Sequence, residues 1–335
     1  MKQASHAPVM LNEVVSALLP TTGGIYADAT FGGGGYARAI LSQANCTLFG
    51  FDRDPTAIER ASDWAAAYGG RLVLINRPFS EMAEALGELG VEQLDGVVFD
   101  LGVSSMQLDE AERGFSFMRE GPLSMRMDKK KPDATTLISV AEASDLAQIF
   151  KAYGEERHAR RIAEAIVKAR SQHPVETTMQ LAEIIARAAP QSRTDRIHPA
   201  TRVFQAIRIF VNDELGQIAK ALTIVERMLR PAGRLVVVTF HSLEDRIVKR
   251  FFSSRSGREG GASRHAPQLR TIAPSFKLLS AKAASPTQEE ISENPRARSA
   301  KLRAGIRTSA PPHDEDLSSF LPSFSFSKAL SSAWS

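Results

Sequence analysis

The sequence predicts an α/β fold, a doubly wound parallel sheet with a helical insertion after its fourth strand. Two patterns support this prediction. Short apolar runs with strand character alternate with helical stretches over roughly the first hundred residues and return at residue 234, whereas the segment between them has helical periodicity alone. Strands that alternate with helices form parallel βαβ units, and such sheets bind ligands at the carboxyl ends of their strands.

The predicted elements follow one another closely in the first part of the chain. A short amphipathic helix over 9–19 precedes strands at 25–29, 47–52, 72–76 and 96–100. Three of these four strands carry a carboxylate at or near their end, namely Asp28, Asp52 and Asp100. Since the carboxyl ends of parallel strands meet at one edge of a sheet, these side chains mark the expected ligand site.

A run of four glycines, at 32–35, separates the first strand from the next helix. Glycine places no Cβ between the backbone and a ligand and tolerates positive φ, so a cofactor can lie directly against this turn. The following helix offers free N–H groups and the positive end of its dipole. Asp52 stands 20 residues beyond Gly32, where it would accept hydrogen bonds from a ribose diol. The turn is therefore typical of a nucleoside-cofactor site.

Two cofactor classes are compatible with this turn. Gly32, Gly34 and Ala37 satisfy the dinucleotide fingerprint G-x-G-x-x-[GA], which leaves an NAD(P)-dependent oxidoreductase as an alternative. Asp28 favours S-adenosylmethionine instead. A carboxylate immediately before the loop repels a pyrophosphate and attracts the α-ammonium and sulfonium groups of that methyl donor.

Composition narrows the class of protein. The 335 residues suffice for one large domain with an insertion or for two domains. The sequence has no run of 18 apolar residues and no amino-terminal apolar signal core, so we expect a cytoplasmic protein without membrane contact. The single cysteine, Cys46, excludes an internal disulfide and a cysteine-based zinc site, and no metal site is predicted.

Basic charge is concentrated near the carboxyl end. Residues 246–310 contain fourteen Lys or Arg and four Glu, while the whole chain has a net charge of only +4. A basic segment on an otherwise mildly acidic protein indicates a polyanionic partner, although a solvated surface without a ligand gives the same pattern. A non-catalytic RNA-binding assembly factor is therefore a second alternative.

The segments after the fourth strand are predominantly helical. Helical periodicity recurs at 137–150, 155–170 and 178–189, and the middle stretch places Arg157 and Arg161 on its outward face. A longer helix is then predicted over 198–229, ahead of a buried fifth strand at 234–240. The parallel sheet therefore resumes after the insertion.

We expect three regions from these patterns. A Rossmann-like domain spans 1–108 and 199–310, with a mobile loop over 253–295 and an edge strand near 299–307. A helical domain spans 109–198. The serine-rich tail over 311–335 is predicted to be disordered.

Several short blocks, spread in one order over residues 5–310, carry a family likeness. They are Asp28-Ala29-Thr30-Phe31-Gly32 with Gly34-Gly35, Asp100-Leu101-Gly102-Val103-Ser104-Ser105, Gln107-Leu108-Asp109, Arg113-Gly114-Phe115-Ser116-Phe117, Tyr153-Gly154-Glu155-Glu156-Arg157, His198-Pro199-Ala200-Thr201-Arg202, Phe240-His241-Ser242-Leu243-Glu244-Asp245-Arg246 and Asn294-Pro295-Arg296-Ala297-Arg298-Ser299. Together they closely resemble the bacterial ribosomal RNA small subunit methyltransferase H family, also called MraW.

The resemblance implies a class I, Rossmann-like S-adenosylmethionine-dependent methyltransferase. It further implies that the methyl group goes to the exocyclic N4 of one cytidine in the decoding region of 16S rRNA, and that the insertion is a substrate-recognition domain. The cofactor contacts that it implies are Gly34, Gly35, Tyr36, Asp52, Phe79, Asp100 and Gln107. The turn itself adds Asp28 and Gly32 to this set.

The chain departs from the family pattern at two positions. Tyr36 stands where the family often has histidine, and Met106 replaces the usual proline. Contacts through the backbone of Tyr36 survive the first change. The second change affects the loop that positions Gln107. Phe79 is the candidate ring to lie against a purine, with core packing behind a proline turn as the competing interpretation.

The chemistry needs an acceptor for a proton on the cytosine amino group. This nitrogen is a poor nucleophile because its lone pair is delocalised into the ring, and an acceptor on its N–H groups helps it to pyramidalise. Asp100 is the candidate catalytic residue, by analogy with amino-methyltransferases that carry an Asp/Asn-Pro-Pro-Tyr motif. A purely cofactor-binding Asp100 is the alternative, and Ser104, Ser105 and His241 are further candidates.

The target cytidine must leave its stack to reach the donor. Phe115 and Phe117 are candidates to stack on the base, with core packing as the competing interpretation. Further RNA contacts are predicted at Arg157, Arg161, His241, Arg296, Arg298 and Arg303. Because two separate regions supply these residues, we expect the substrate to be 16S rRNA in the assembled small ribosomal subunit.

Overall fold

A computed structural model describes residues 8–128, 132–189, 198–258, 272–315 and 317–334. Packing divides the chain into two compact units. One, which we call the sheet unit, comprises Met1–Gly102 and Leu215–Phe320, and the other, the helical unit, comprises Val103–Glu214 and Leu321–Ser335. The helical unit thus begins a few residues earlier and ends later than the sequence predicted, and it also includes the end of the chain.

The helices and strands alternate in the first third of the chain. In chain order they are α1 Leu11–Leu18, β1 Ile25–Asp28, α2 Gly35–Gln43, β2 Thr47–Phe51, α3 Pro55–Ala65, β3 Leu72–Ile75, α4 Met82–Gly87, β4 Leu94–Asp100, α5 Ser105–Asp109, α6 Ala134–Val140, α7 Ala143–Gly154, α8 Ala159–Arg170, α9 Thr178–Ala188, α10 Pro199–Asn212, α11 Glu214–Met228, β5 Leu229–Thr239, α12 Ser242–Arg255, β6 Phe276–Leu278, α13 Gln288–Glu293, β7 Lys301–Arg307 and α14 Lys328–Ala333.

The sheet has seven strands in the order β3-β2-β1-β4-β5-β7-β6. The first five strands are parallel, whereas β7 runs antiparallel to both β5 and β6. The central strands are fully buried, as the valines of β4 and β5 show, because helices cover both faces of such a sheet. The predicted α/β fold with helices inserted after the fourth strand is confirmed.

The helical unit has its own apolar core, to which α6 to α10 contribute. The stretch predicted as one helix over 137–150 is two helices, α6 and α7. The chain breaks at Glu142, whose side chain and that of Asp145 form a capping box at the start of α7. A local cap therefore overrides a continuous apolar period.

The helix predicted over 198–229 is also divided. α10 ends at Asn212, and Asp213 takes the left-handed conformation with φ 50°. The side chain of Asn212 accepts a hydrogen bond from the N–H of Met127 at 2.9 Å and donates to the carbonyl of Met125 at 2.8 Å. These contacts fix α10 in the helical unit, so the sheet unit receives only α11.

The end of the chain is ordered, contrary to the prediction of a disordered tail. α14 lies within residues 328–333, and Leu330 is completely buried in the core of the helical unit. The rings of Phe326 and Trp334 pack on Phe210 with centroid distances of 5.4 and 5.0 Å. Widely spaced apolar side chains within a serine-rich segment supply enough burial to order it.

The segment predicted as a mobile loop over 253–295 contains helices and a strand in part of its described residues. The end of α12, then β6 and α13, occupy this segment, and residues 259–271 lie outside the described ranges. A strand is present near 299–307 as β7, but it does not lie at the edge of the sheet as predicted, because β6 pairs with its outer side. Within the described ranges, no helix is both long and apolar enough to cross a membrane.

Leu330→Ala tests whether the tail stabilises the helical unit. The substitution should lower the free energy of unfolding by about 2–5 kcal/mol, because it leaves a cavity under α14. Lys328→Ala, at an exposed position of the same helix, is the matched control and should change it by less than about 0.5 kcal/mol. Denaturant unfolding followed by circular dichroism measures both, and equal stability of the two variants would contradict a docked tail.

Candidate active site

Three carboxylates mark neighbouring strands at one edge of the sheet. Asp28 and Asp100 are the last residues of β1 and β4, and Asp52 directly follows β2. The three strands are adjacent in the sheet, with β1 in the middle. The order of strands along the chain reverses between β1 and β4, and such a switch point is where open α/β sheets bind their ligands.

Asp28 is completely buried and only partly satisfied. Its Oδ1 accepts a hydrogen bond from the N–H of Thr30 at 3.2 Å, whereas Oδ2 is buried and has no partner among the described residues. Burial raises the pKa of Asp28 to about 7; the Thr30 N–H opposes this shift and the charge of Asp52 adds to it. An ionised carboxylate in this position is stabilised by a cationic ligand.

Asp100 is half-buried and also carries an unsatisfied carboxylate oxygen. Its backbone N–H donates to Oγ1 of Thr30 at 2.5 Å, which ties the end of β4 to the turn after β1. Its Oδ1 is buried and lacks a partner in the part of the chain that the structure describes. Burial, followed by the charges of Asp28 and Glu244, raises the pKa of Asp100 well above its usual range. Two adjacent carboxylates therefore each leave one oxygen unsatisfied at the switch point.

Asp52 holds the glycine turn. Its Oδ2 accepts a hydrogen bond from the N–H of Gly32 at 2.8 Å, and its Oδ1 accepts one from Asp54 at 2.8 Å. Gly32 has a φ of 52°, which glycine adopts without strain. Burial raises the pKa of Asp52 to about 6, although both N–H groups act against the shift. Each oxygen keeps a further lone pair for the hydroxyl of a ribose.

The positions of the turn differ in whether the surrounding protein requires glycine. A Cβ on Gly34 would lie 2.4 Å from the ring of Trp64, and one on Gly35 would lie 2.1 Å from Pro8. A Cβ on Gly33 would meet nothing within 4 Å. Packing inside the protein therefore requires glycine at positions 34 and 35, and the open side of the turn lies at Gly33.

Two aromatic residues of the predicted site also pack against the protein. Tyr36 is buried in the first turn of α2, and its O–H donates to the carbonyl of Val9. A ligand contact of Tyr36 would therefore use its backbone N–H, since the first-turn N–H groups of a helix have no partner within the helix. Phe79 is half-buried after β3 and meets Phe99 edge to face, with centroids 5.4 Å apart. Its accessible surface is compatible with a purine ring.

Glu244 is a buried acid that our sequence analysis missed. It is completely buried in the first turn of α12, and its Oε2 accepts hydrogen bonds from the N–H groups of Phe240 at 2.7 Å and His241 at 3.2 Å. His241 is the N-cap of that helix, because its Nδ1 accepts a hydrogen bond from Glu244. An acid three residues after a capping residue is the signal of a capping box, which was visible in the sequence.

The predicted residues of the helical unit serve mainly its own structure. The side-chain oxygen of Gln107 accepts a hydrogen bond from the N–H of Ser104 at 3.1 Å and so caps α5. Phe115 is only 6% exposed within the core, and the prediction that it stacks on a base is corrected, because core packing already covers its ring. Phe117 is half-buried, edge to face with Phe204 at 5.0 Å.

The predicted basic contacts fall into two groups. Arg303 is bound to Asp245 through Nε at 2.8 Å, and Lys301 binds the same carboxylate at 2.9 Å. Burial acts to raise the pKa of Asp245, but these two partners together hold it below its usual range. The prediction of an RNA contact at Arg303 is therefore corrected, since its guanidinium neutralises a buried acid. The four remaining predicted arginines are all exposed: Arg157, Arg161, Arg296 and Arg298.

The donor set of the sheet unit fits S-adenosylmethionine better than a dinucleotide. The unsatisfied oxygens of Asp28 and Asp100 match a cation, and Asp52 matches a ribose diol. Ionised carboxylates at this density would repel the pyrophosphate of NAD. The buried, unpaired oxygens are the decisive feature, because they need a positive charge that the described residues do not supply.

Comparison with known proteins finds a matching family model and several similar sequences. The model of the MraW methylase family matches residues 3–307. The ribosomal RNA small subunit methyltransferase H of Maricaulis maris is 56% identical over 313 residues, which is 93% of each chain. That of Bradyrhizobium diazoefficiens is 52% identical over 325 residues, 97% of this chain and 98% of the relative. A solved putative rRNA methylase from Clostridium thermocellum aligns at a TM-score of 0.43 and 11% identity over 91% of this chain and 98% of its own.

The raised pKa of Asp28 makes donor binding dependent on pH. A cation binds the ionised carboxylate, so the affinity for S-adenosylmethionine should rise as the pH increases from about 6 to 8 and then level off, with release of protons on binding. Asp28→Asn should weaken binding at pH 8 by about 1.5–3 kcal/mol and flatten this dependence. Asp63→Asn, at an exposed position of α3, is the control. Calorimetric titration in buffers of different ionisation enthalpy measures both quantities, and a parental pH profile in the Asp28 variant would contradict the assignment.

Proposed function

This chain belongs to the MraW methylase family, and on that premise we propose that it methylates the exocyclic N4 of one cytidine in the decoding region of 16S rRNA. Membership makes the protein a ribosomal RNA methyltransferase with S-adenosylmethionine as its methyl donor, as the sequence resemblance implied. The alternatives of an NAD(P)-dependent oxidoreductase and a non-catalytic assembly factor are thereby excluded. The target atom, the target region and the assembled small subunit as substrate are our proposal.

The observation that carries the proposal is the unsatisfied pair Asp28 and Asp100 at the switch point. S-adenosylmethionine, when bound, supplies an electrophilic methyl group on a positively charged sulfur. Asp28, beside the glycine turn, would hold the cationic part of the donor, and Asp52 would hold the ribose. Phe79 would cover the purine, and the backbone of the turn from Gly32 to Tyr36 would lie along the ligand.

Asp100 is the residue that we assign to the amino group of the target. A carboxylate that accepts a hydrogen bond from the cytosine N4 favours its pyramidal form and can receive the proton that the nitrogen loses. Burial makes Asp100 a stronger base than an exposed aspartate, because its pKa is raised. The same shift favours the protonated form of Asp100 in the free protein, and a cation nearby would favour its ionised form.

Glu244 would act behind Asp100 rather than on the substrate. Its Oε2 is occupied by two backbone N–H groups, and its charge contributes to the raised pKa of Asp100.

His241 caps the same helix, and we propose that it contacts the RNA, as we do for Phe117, Arg296 and Arg298. The proposed substrate places the reaction in the cytoplasm, where small subunits are assembled.

Asp100→Asn tests the proposed chemistry. The amide keeps the shape of the side chain but cannot accept the proton, so kcat on small subunits that lack the methyl group should fall by about 10²–10⁴. Asp28→Asn should mainly raise the KM for the donor, and Asp63→Asn should change neither parameter. Mass spectrometry of nucleosides from the treated RNA should detect N4-methylcytidine with the parental enzyme.

Two results would contradict this account. Methylation on carbon 5 or on the ribose alone would exclude the amino group as the target. A parental kcat in Asp100→Asn, with N4-methylcytidine as the product, would instead leave the target intact and remove Asp100 from the chemistry.

A further inference from the structure

An exposed group of four basic side chains lies on the helical unit, where α7 ends and where α8 and α10 begin. We call it the corner patch, and its members are Lys151, Arg157, Arg161 and Arg202. The end of α7 and the start of α10 are held together at Gly154. A Cβ on this glycine would lie 2.6 Å from the carbonyl oxygen of Arg202, and the side chain of Gln205 donates to the carbonyl of Tyr153 at 3.2 Å. The patch therefore has a fixed backbone beneath it.

The cations of the corner patch have no partners among the described residues. None of the four forms a hydrogen bond or an ion pair with any residue in the described ranges. Other exposed arginines of the same unit do have them. Arg160 binds Glu164 at 2.9 Å, and Arg187 binds Glu183 at 3.1 Å. The contrast shows that acids are available to pair with surface arginines in this unit, yet the patch is left unpaired.

The positions of the arginines oppose the helix dipoles. Arg202 lies in the first turn of α10, Arg161 lies in the first turn of α8, and Arg157 stands just before α8. The first turns of both helices contain no acidic residue. Cations are unfavourable at the positive end of a helix, so helix stability does not explain this arrangement. An anion bound over the patch would offset the repulsion between these arginines and the positive helix ends.

One of the two nearby acids supports the backbone. Lys151 and Arg157 line a shallow cleft together with Arg160, Glu155 and Glu156. Glu156 is buried and accepts a hydrogen bond from the N–H of His158 at 2.8 Å, so it supports the turn between α7 and α8. The cleft therefore presents three basic side chains and one exposed acid, Glu155, and this excess of positive charge favours an anion.

We propose that the corner patch binds the phosphate backbone of the RNA substrate. The proposal rests on the proposed function, because it assigns part of the helical unit to the same 16S rRNA. Guanidinium groups bind phosphate oxygens through two parallel hydrogen bonds, and several of them on a fixed backbone can follow successive phosphates. Phosphate contacts position the substrate without reading its sequence. The RNA contacts that the sequence predicted in part at Arg303 are thus assigned to the corner patch.

The test compares two double variants of the full chain that remove the same charge. Arg157→Gln with Arg202→Gln changes the patch, whereas Arg187→Gln with Lys220→Gln removes two exposed cations elsewhere. The probe is the fluorescently labelled small ribosomal subunit from cells that lack the enzyme. The slope of log K against log salt should fall by about 1.4–1.8 in the patch variant, one phosphate contact for each arginine. The control should keep the parental slope, and both should keep the parental affinity for S-adenosylmethionine.

A second pair of changes separates charge from structure. Arg157→Lys with Arg202→Lys keeps the cations and should restore most of the salt dependence, which a purely structural function of the arginines would not predict. Equal slopes in the patch variant, the control and the parent would overturn the proposal. The proposed function is tested separately by the nucleoside product of the parental enzyme, so N4-methylcytidine with unchanged slopes would reject the corner patch alone.

Discussion

The structure depends on one electrostatic constraint, the burial of carboxylates at the switch point of the sheet without a cation from the described residues. Asp28 and Asp100 each leave one oxygen unsatisfied there. Such groups are unfavourable in the free protein. Since the folded state binds a proton on Asp28 more tightly than the unfolded state, its contribution to the stability of the free protein falls as the pH rises from about 4 to about 7. A cationic donor removes this penalty, so the same feature that weakens the free fold selects the ligand.

The surrounding elements hold these carboxylates where solvent cannot neutralise them. Thr30 joins the ends of β1 and β4, because its N–H donates to Asp28 and its hydroxyl accepts from Asp100. Asp52 fixes the glycine turn through Gly32. The first turn of α12 then adds a further buried acid, whose charge reaches Asp100. Backbone hydrogen bonds thus position the site, while Oδ2 of Asp28 and Oδ1 of Asp100 stay buried and unpaired among the described residues.

The sequence predicted those parts of the molecule that follow from local patterns. The strands, the glycine turn and the three carboxylates all have a short-range signal, and parallel topology places the strand ends together. The division between α10 and α11 was not predicted, because Asn212 ends α10 through contacts with residues more than 80 positions away. The docked tail was missed for a similar reason. Its apolar residues are sparse, and only the core of the helical unit shows what Leu330 packs against.

The functions of individual side chains were hardest to predict where burial decides whether a side chain packs inside the protein or can contact a ligand. Phe115 and Phe117 are two residues apart, yet one is enclosed by the core and the other is half-buried. Arg303 resembles its basic neighbours in the sequence, but Asp245 engages it in the fold. Unpaired cations can be identified only when every possible partner has been placed. The corner patch could therefore not be distinguished from an ordinary basic surface before the helices were in position.

The most direct test of the electrostatic constraint is an NMR titration of the aspartate side-chain carbons in the free and donor-bound protein. In the free protein, Asp28 should titrate near pH 7. With S-adenosylmethionine bound, the pKa should fall below about 5, because the bound cation stabilises the carboxylate. A free-protein pKa near 4 at Asp28, unchanged by the donor, would contradict the claim that an unsatisfied buried carboxylate defines this site.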